Sequence, residues 1–128
     1  MSKPNPGDRK YAKEHTWTLD NKDGSVTVGI TDYAQEQLTD IVYVELPEIG
    51  KKVKQRETLA VLESVKSVSD VYAPVSGEVI EVNHRLDNQP DLINQDPFGE
   101  GWIVRLKMDD ASKLDTLMDA AHYDAFIT

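Results

Sequence analysis

LAVLESVKSVSDVYAP, residues 59–74, decides how the rest of the chain is read. Apolar residues alternate with others up to Glu63, a second strand-like run leads from Val68 to Pro74, and a single lysine, Lys66, stands between them. A period of two marks a half-buried strand, so the stretch predicts a β-hairpin with Lys66 at its apex. The lysine is flanked by Ser64, Val65, Ser67 and Val68 rather than by other charges, and the turn lacks the Asn-Gly or Asp-Gly of a purely structural hairpin. A rough symmetry runs outward from it, VKQRETLAVLES on one side and SVSDVYAPVSGEVIEVN on the other. The bland reading of such a residue is a solvated surface charge. The sharper one is an amine on a rigid tip, open to a modifying enzyme that acylates it into a long arm. A group tethered on such an arm reaches an effective concentration on the order of mM at a docked active site.

Short strand signals separated by turn chemistry continue on both sides. TWTLD (16–20), the Asp23-Gly24 turn and VTVGI (26–30) read as a hairpin. TDYAQEQL (31–38) reads as one short helix with Thr31 as N-cap and Asp32 in its first turn. IVYVELP (41–47) predicts a strand with Val42, Val44 and Leu46 on one face and Ile41, Tyr43 and Glu45 on the other. Pro74 and Gly77 bracket a turn before the strand GEVIEVN, RLDNQPDLINQDPFGEG (85–101) reads as a long polar loop, and WIVRLKM (102–108) as a strand with Trp102, Val104 and Leu106 together. Ser112 to Asp115 resembles a capping box, and Leu114, Leu117, Met118 and Ala121 at helical spacing predict one C-terminal amphipathic helix. The pattern is that of a mainly β sandwich or flattened barrel with a terminal helix. Residues 1–8 are expected to be a flexible tail and 9–128 a single domain.

Composition narrows the function classes. The chain of 128 residues can bury a real core. It has no cysteine, which excludes disulfides, thiolate metal sites and thiol catalysis, and its three histidines, His15, His84 and His122, form no ligand spacing, so no metal is expected. A net charge of −9 argues against nucleic-acid binding. No apolar run approaches the ~20 residues of a membrane span, and MSKPNPGDRKYAKEH lacks a signal-peptide core. The expectation is a soluble, monomeric, cytoplasmic protein if bacterial, or a mitochondrial-matrix one if a processed eukaryotic form.

KYAKEHTW, VTVGITDYAQEQL, DIVYVELPEIG, ESVKSVSDVYAPVSGEVIEVN and INQDPFGEGWIVRLK, in this order, resemble the H-protein family of the glycine cleavage system over essentially residues 10–127. The resemblance implies a biotinyl/lipoyl-carrier hammerhead: two small antiparallel sheets in a flattened barrel-sandwich hybrid, with a short helix in the N-terminal half and another at the C-terminus. It implies lipoic acid in amide linkage to Lys66, with Glu63, Ser64 and Val65 read by the lipoyl-attachment enzymes. The implied role is that of a carrier and not of an enzyme. The arm takes an aminomethyl group from glycine at a pyridoxal-phosphate-dependent glycine decarboxylase and yields it to tetrahydrofolate at an aminomethyltransferase. Dihydrolipoamide dehydrogenase then reoxidises the arm.

The family pattern also implies a cleft for the loaded arm, for which Asp70, Glu14 and Ser67 are the candidates, because carboxylates suit a protonated amine. The chain departs from that pattern at Thr16, where a glutamate is usual, and at Thr39, where a glycine is usual. His15 and Trp17 match it and are expected to pack the N-terminal hairpin. A biotin carrier or a detached lipoyl domain is disfavoured by Val65, which stands where those have methionine or aspartate. An H-like protein that mainly relays lipoyl groups to other proteins stays open, with Thr16 in its favour.

Overall fold

The computed structural model describes residues 4–128, and the first three positions of the expected tail lie outside that range. In chain order the elements are β1 (Lys10–Tyr11), β2 (Thr16–Asp20), β3 (Ser25–Ile30), α1 (Asp32–Leu38), β4 (Ile41–Glu45), β5 (Lys52–Val53), β6 (Thr58–Ser64), β7 (Val68–Tyr72) and β8 (Gly77–Val82). They continue with α2 (Arg85–Asn88), α3 (Leu92–Gln95), β9 (Val104–Met108), a 3-10 turn (Ala111–Thr116) and α4 (Ala120–Ile127). One sheet has the order β1-β2-β3-β9-β8-β5 and the other β4-β6-β7, all pairs antiparallel. This is the mainly β, two-sheet architecture that the sequence predicts.

The sheets enclose a core of aliphatic side chains, among them Val26, Val28, Val44, Leu62, Val71, Val79 and Leu106. β3 is buried along its whole length. Val26, Val28 and Ile30 enter that core, and on the other face the Trp17 indole lies against Gly29, where an added Cβ would fall about 2.5 Å from the ring. Trp17, Tyr11 and Tyr123 form a second, aromatic cluster. Arg9 lies over the indole at 4.6 Å, and the indole N–H donates to Pro97 O at 2.9 Å.

Four expectations are corrected. In β4 a bulge between Ile41 and Tyr43 shifts the register, so Ile41 and Val44 face the core while Val42 turns outward. The polar loop of residues 85–101 contains the single-turn helices α2 and α3, and Leu86, Leu92 and Ile93 anchor it in the core. Ile103 and Val104 enter the main core, whereas Trp102 joins the aromatic cluster. The single C-terminal helix is two elements: the caps are Asp110 and Asp119, and between them Met118 leaves helical geometry to exchange backbone hydrogen bonds with Tyr11.

Candidate functional site

The β6–β7 hairpin folds as its alternation predicts, with Leu62 opposite Ser69 and Glu63 opposite Val68. Its tip is closed by a serine. Ser64 N–H donates to Ser67 O at 2.8 Å, and the Ser64 hydroxyl accepts from Lys66 N–H (3.2 Å) and Ser67 N–H (3.0 Å). A side-chain oxygen thus takes the amide protons that the turn leaves over. None of residues 64–67 needs a positive φ, which gives a structural reason for the missing Asn-Gly. Lys66 is exposed between exposed Val65 and Val68, while Glu63 and Ser64 are half-buried.

The tip rests on the end of α1. Thr31 caps that helix as expected, accepting from Ala34 N–H. Val65 N–H donates to Asp40 O at 3.1 Å, and Lys66 Nζ donates to Gln37 O at 3.4 Å. A cation over the last carbonyls of a helix is favourably placed.

Beside the hairpin a cleft of about 260 Å³ opens between β6–β7, α1 and the N-terminal segment. Ile30, Ala34, Leu38, Leu62 and Val71 supply apolar wall, and Glu14, His15 and Asp70 supply polar groups. Asp70, exposed on β7 opposite Val61, and Glu14, 56 positions earlier in the chain, therefore share one cavity. Ser67 belongs to the tip and does not line the cleft. Thr16 is buried within β2, is absent from the cleft wall, and its hydroxyl lacks a hydrogen-bond partner.

His15 does more than pack the hairpin. Its φ of 69° is left-handed, a region in which histidine is less disfavoured than most residues, and the ring reaches the cleft. Nδ1 lies 2.8 Å from the Tyr123 hydroxyl, which is itself 2.8 Å from Thr31 Oγ1, so the Tyr123 hydroxyl joins α4 both to the histidine and to the cap of α1. Burial pulls the His15 pKa below its ordinary value, with Glu14 acting the other way. Burial pushes the Tyr123 phenol up to about 12, although its hydrogen bond with Thr31 opposes this. No sequence signal marks the Tyr123 contact, because the residues involved are 108 positions apart. Among the described residues no group of three or more His, Asp or Glu is arranged to hold a metal.

The glycine cleavage H-protein model matches residues 9–128. The chain belongs to the glycine cleavage H-protein family. It is 58% identical over 118 residues to the glycine cleavage system H protein of Coprothermobacter proteolyticus, covering 92% of this chain and 93% of that one. The Thermus thermophilus H protein is likewise 58% identical over 118 residues, with 92% and 91% covered. The crystal structure of the Mycobacterium marinum H protein superposes with a TM-score of 0.86 at 39% identity, covering 94% of this chain and 97% of that one. The two-sheet fold is thus that of an H-protein family member. No helix among the described residues is long and apolar enough to cross a membrane.

Proposed function

We propose that this chain carries a lipoyl group on Lys66 and shuttles the aminomethyl group of glycine between the enzymes of the glycine cleavage system. The observation that carries the reading is the pairing of one exposed amine at a braced tip with a neighbouring cleft that is apolar in its walls and acidic at Glu14 and Asp70. A lipoyl group in amide linkage to Nζ supplies a redox-active disulfide that takes up the aminomethyl group as the decarboxylase releases carbon dioxide. The residues present fit such a group. Acylation removes the lysine's charge yet leaves one N–H, which can still donate to Gln37 O. Ile30, Leu38, Leu62 and Val71 offer an apolar lining that excludes water, and Glu14 and Asp70 offer carboxylates to an ammonium cargo.

In this reading the protein acts as a monomeric carrier and supplies no catalytic group. Its partners are the glycine decarboxylase, the aminomethyltransferase, dihydrolipoamide dehydrogenase and a lipoyl-attachment enzyme that reads Glu63, Ser64 and Val65. Glycine cleavage is preferred over the lipoyl-relay alternative because Thr16 lies outside the cleft, while Glu14 and Asp70 both line it. The test is exchange of labelled bicarbonate into the carboxyl group of glycine by purified decarboxylase. Loaded protein should support the exchange, and Lys66→Arg, which keeps the charge but offers no acylable amine, should not. Undiminished exchange with Lys66→Arg would show the assignment to be wrong.

A further inference from the structure

The INQDPFGEGW segment has no residue in the cleft, yet one of its side chains reaches the platform on which the lysine tip rests. Asn94, in α3, uses its whole carboxamide on the α1–β4 junction. Nδ2 donates to Gln35 Oε1 at 2.9 Å and to Thr39 O at 2.8 Å, and Oδ1 accepts from Ile41 N–H at 2.9 Å. The junction so held is costly in itself. Thr39 adopts φ 64° and ψ −150°, a conformation that suits glycine and strains a β-branched residue. The next residue, Asp40, offers the carbonyl that receives Val65 N–H, one position before Lys66.

The base from which Asn94 acts is firm. Leu92 and Ile93 are buried in the core, and Gly101 approaches the Leu92 and Asp96 carbonyls so closely that a Cβ there would sit about 2.7–2.8 Å from them. We propose that Asn94 is a positioning residue for Lys66: it locks the strained Thr39–Ile41 turn in the one shape that docks the lysine tip. Its chemistry is specific. An aspartate in its place would turn an oxygen toward Thr39 O and Gln35 Oε1, and an alanine would leave all three groups unpaired.

The inference rests on the reading of Lys66 as the attachment site only for its functional consequence; the docking itself is read separately. The experiment measures amide hydrogen exchange on the full chain, labelled with 15N, and kcat/KM for lipoylation by a purified lipoyl-attachment enzyme. Asn94→Ala should speed exchange at Val65 about tenfold and leave Ser64, whose N–H is bonded within the hairpin, unchanged. Lipoylation should fall about five- to tenfold at a temperature well below unfolding. Asn94→Asp should behave like Asn94→Ala, and adding Thr39→Gly to either should restore part of the Val65 protection by removing the strain that opens the turn. Asn94→Ser gives the same reading should the alanine variant not fold. Unchanged Val65 exchange, or Val65 and Ser64 accelerating together in step with lost stability, would overturn the inference. Wild-type protein left unmodified at Lys66 would instead count against the carrier reading, and Val65 exchange would still decide the role of Asn94.

Discussion

The two hairpins β2–β3 and β6–β7 close their turns with side-chain oxygens and then diverge in use. In the first, Asp20 accepts from Lys22 N–H and Asp23 from Ser25 N–H and its hydroxyl, and Lys22 and Gly24 take left-handed φ values of 66° and 89°. In the second, the Ser64 hydroxyl does the same work with no left-handed residue. β3 is covered on both faces, whereas Val65 and Val68 beside Lys66 are 68% and 66% exposed. The contrast lies in what surrounds each hairpin. Strand β3 sits in the middle of a six-stranded sheet under Trp17, and the lysine tip touches the rest of the chain mainly through main-chain carbonyls of Gln37 and Asp40. A tip held in this way keeps its position while its side chain stays available.

Substitutions can break this division. The largest effect belongs to Lys66→Arg, which should abolish loading altogether while stability stays within about 0.5 kcal/mol of the parent, as urea unfolding would report. Gly29→Ala should do the reverse. Its Cβ would collide with the Trp17 ring, lowering stability by about 2–3 kcal/mol in the same assay, with loading of the remaining folded protein retained. A smaller effect is expected from Ser64→Ala. Loss of the hydroxyl strands the Lys66 and Ser67 amides, costing about 1 kcal/mol and slowing lipoylation, whereas a cost without any slowing would separate the turn from presentation.

The smallest effect concerns pH. Burial keeps the His15 imidazole less basic in the folded chain than in the unfolded one, so the unfolded chain binds more protons. Stability should be full above about pH 6.5, the ordinary histidine value, and decline as pH falls through the lower folded value. His15→Asn, which tolerates the same left-handed φ, should flatten that decline in denaturation curves taken between about pH 7 and 5. An unchanged slope would remove His15 from the account.

The features legible in the sequence are those set by neighbours along the chain. The Thr31 cap, the Asp23-Gly24 turn and the Lys66 hairpin each follow from a few adjacent residues. The alternation of β4 misled because a bulge is decided by the partner strand, not by the strand itself. Helices of one turn, such as α2 and α3, contain too few residues for a period to show, so Leu86, Leu92 and Ile93 were hidden in a polar composition. The break at Met118 comes from its bridge to Tyr11, a contact across 107 positions. At the site, family resemblance pointed to Asp70, and Glu14 was a candidate only as a neighbour of Thr16, whereas the left-handed turn that brings His15 to the cleft and the clamp of Asn94 exist only in three dimensions.

Display of Lys66 for acylation by lipoate is the property on which the carrier role depends. Its most direct test is the intact mass of the protein expressed in lipoate-supplied cells with lipoyl-attachment enzymes, with the modified residue mapped by fragmentation. A single lipoyl increment confined to Lys66, and absent from Lys66→Arg, is the predicted result. A biotinyl increment, no increment, or a lipoyl group on another lysine would contradict it.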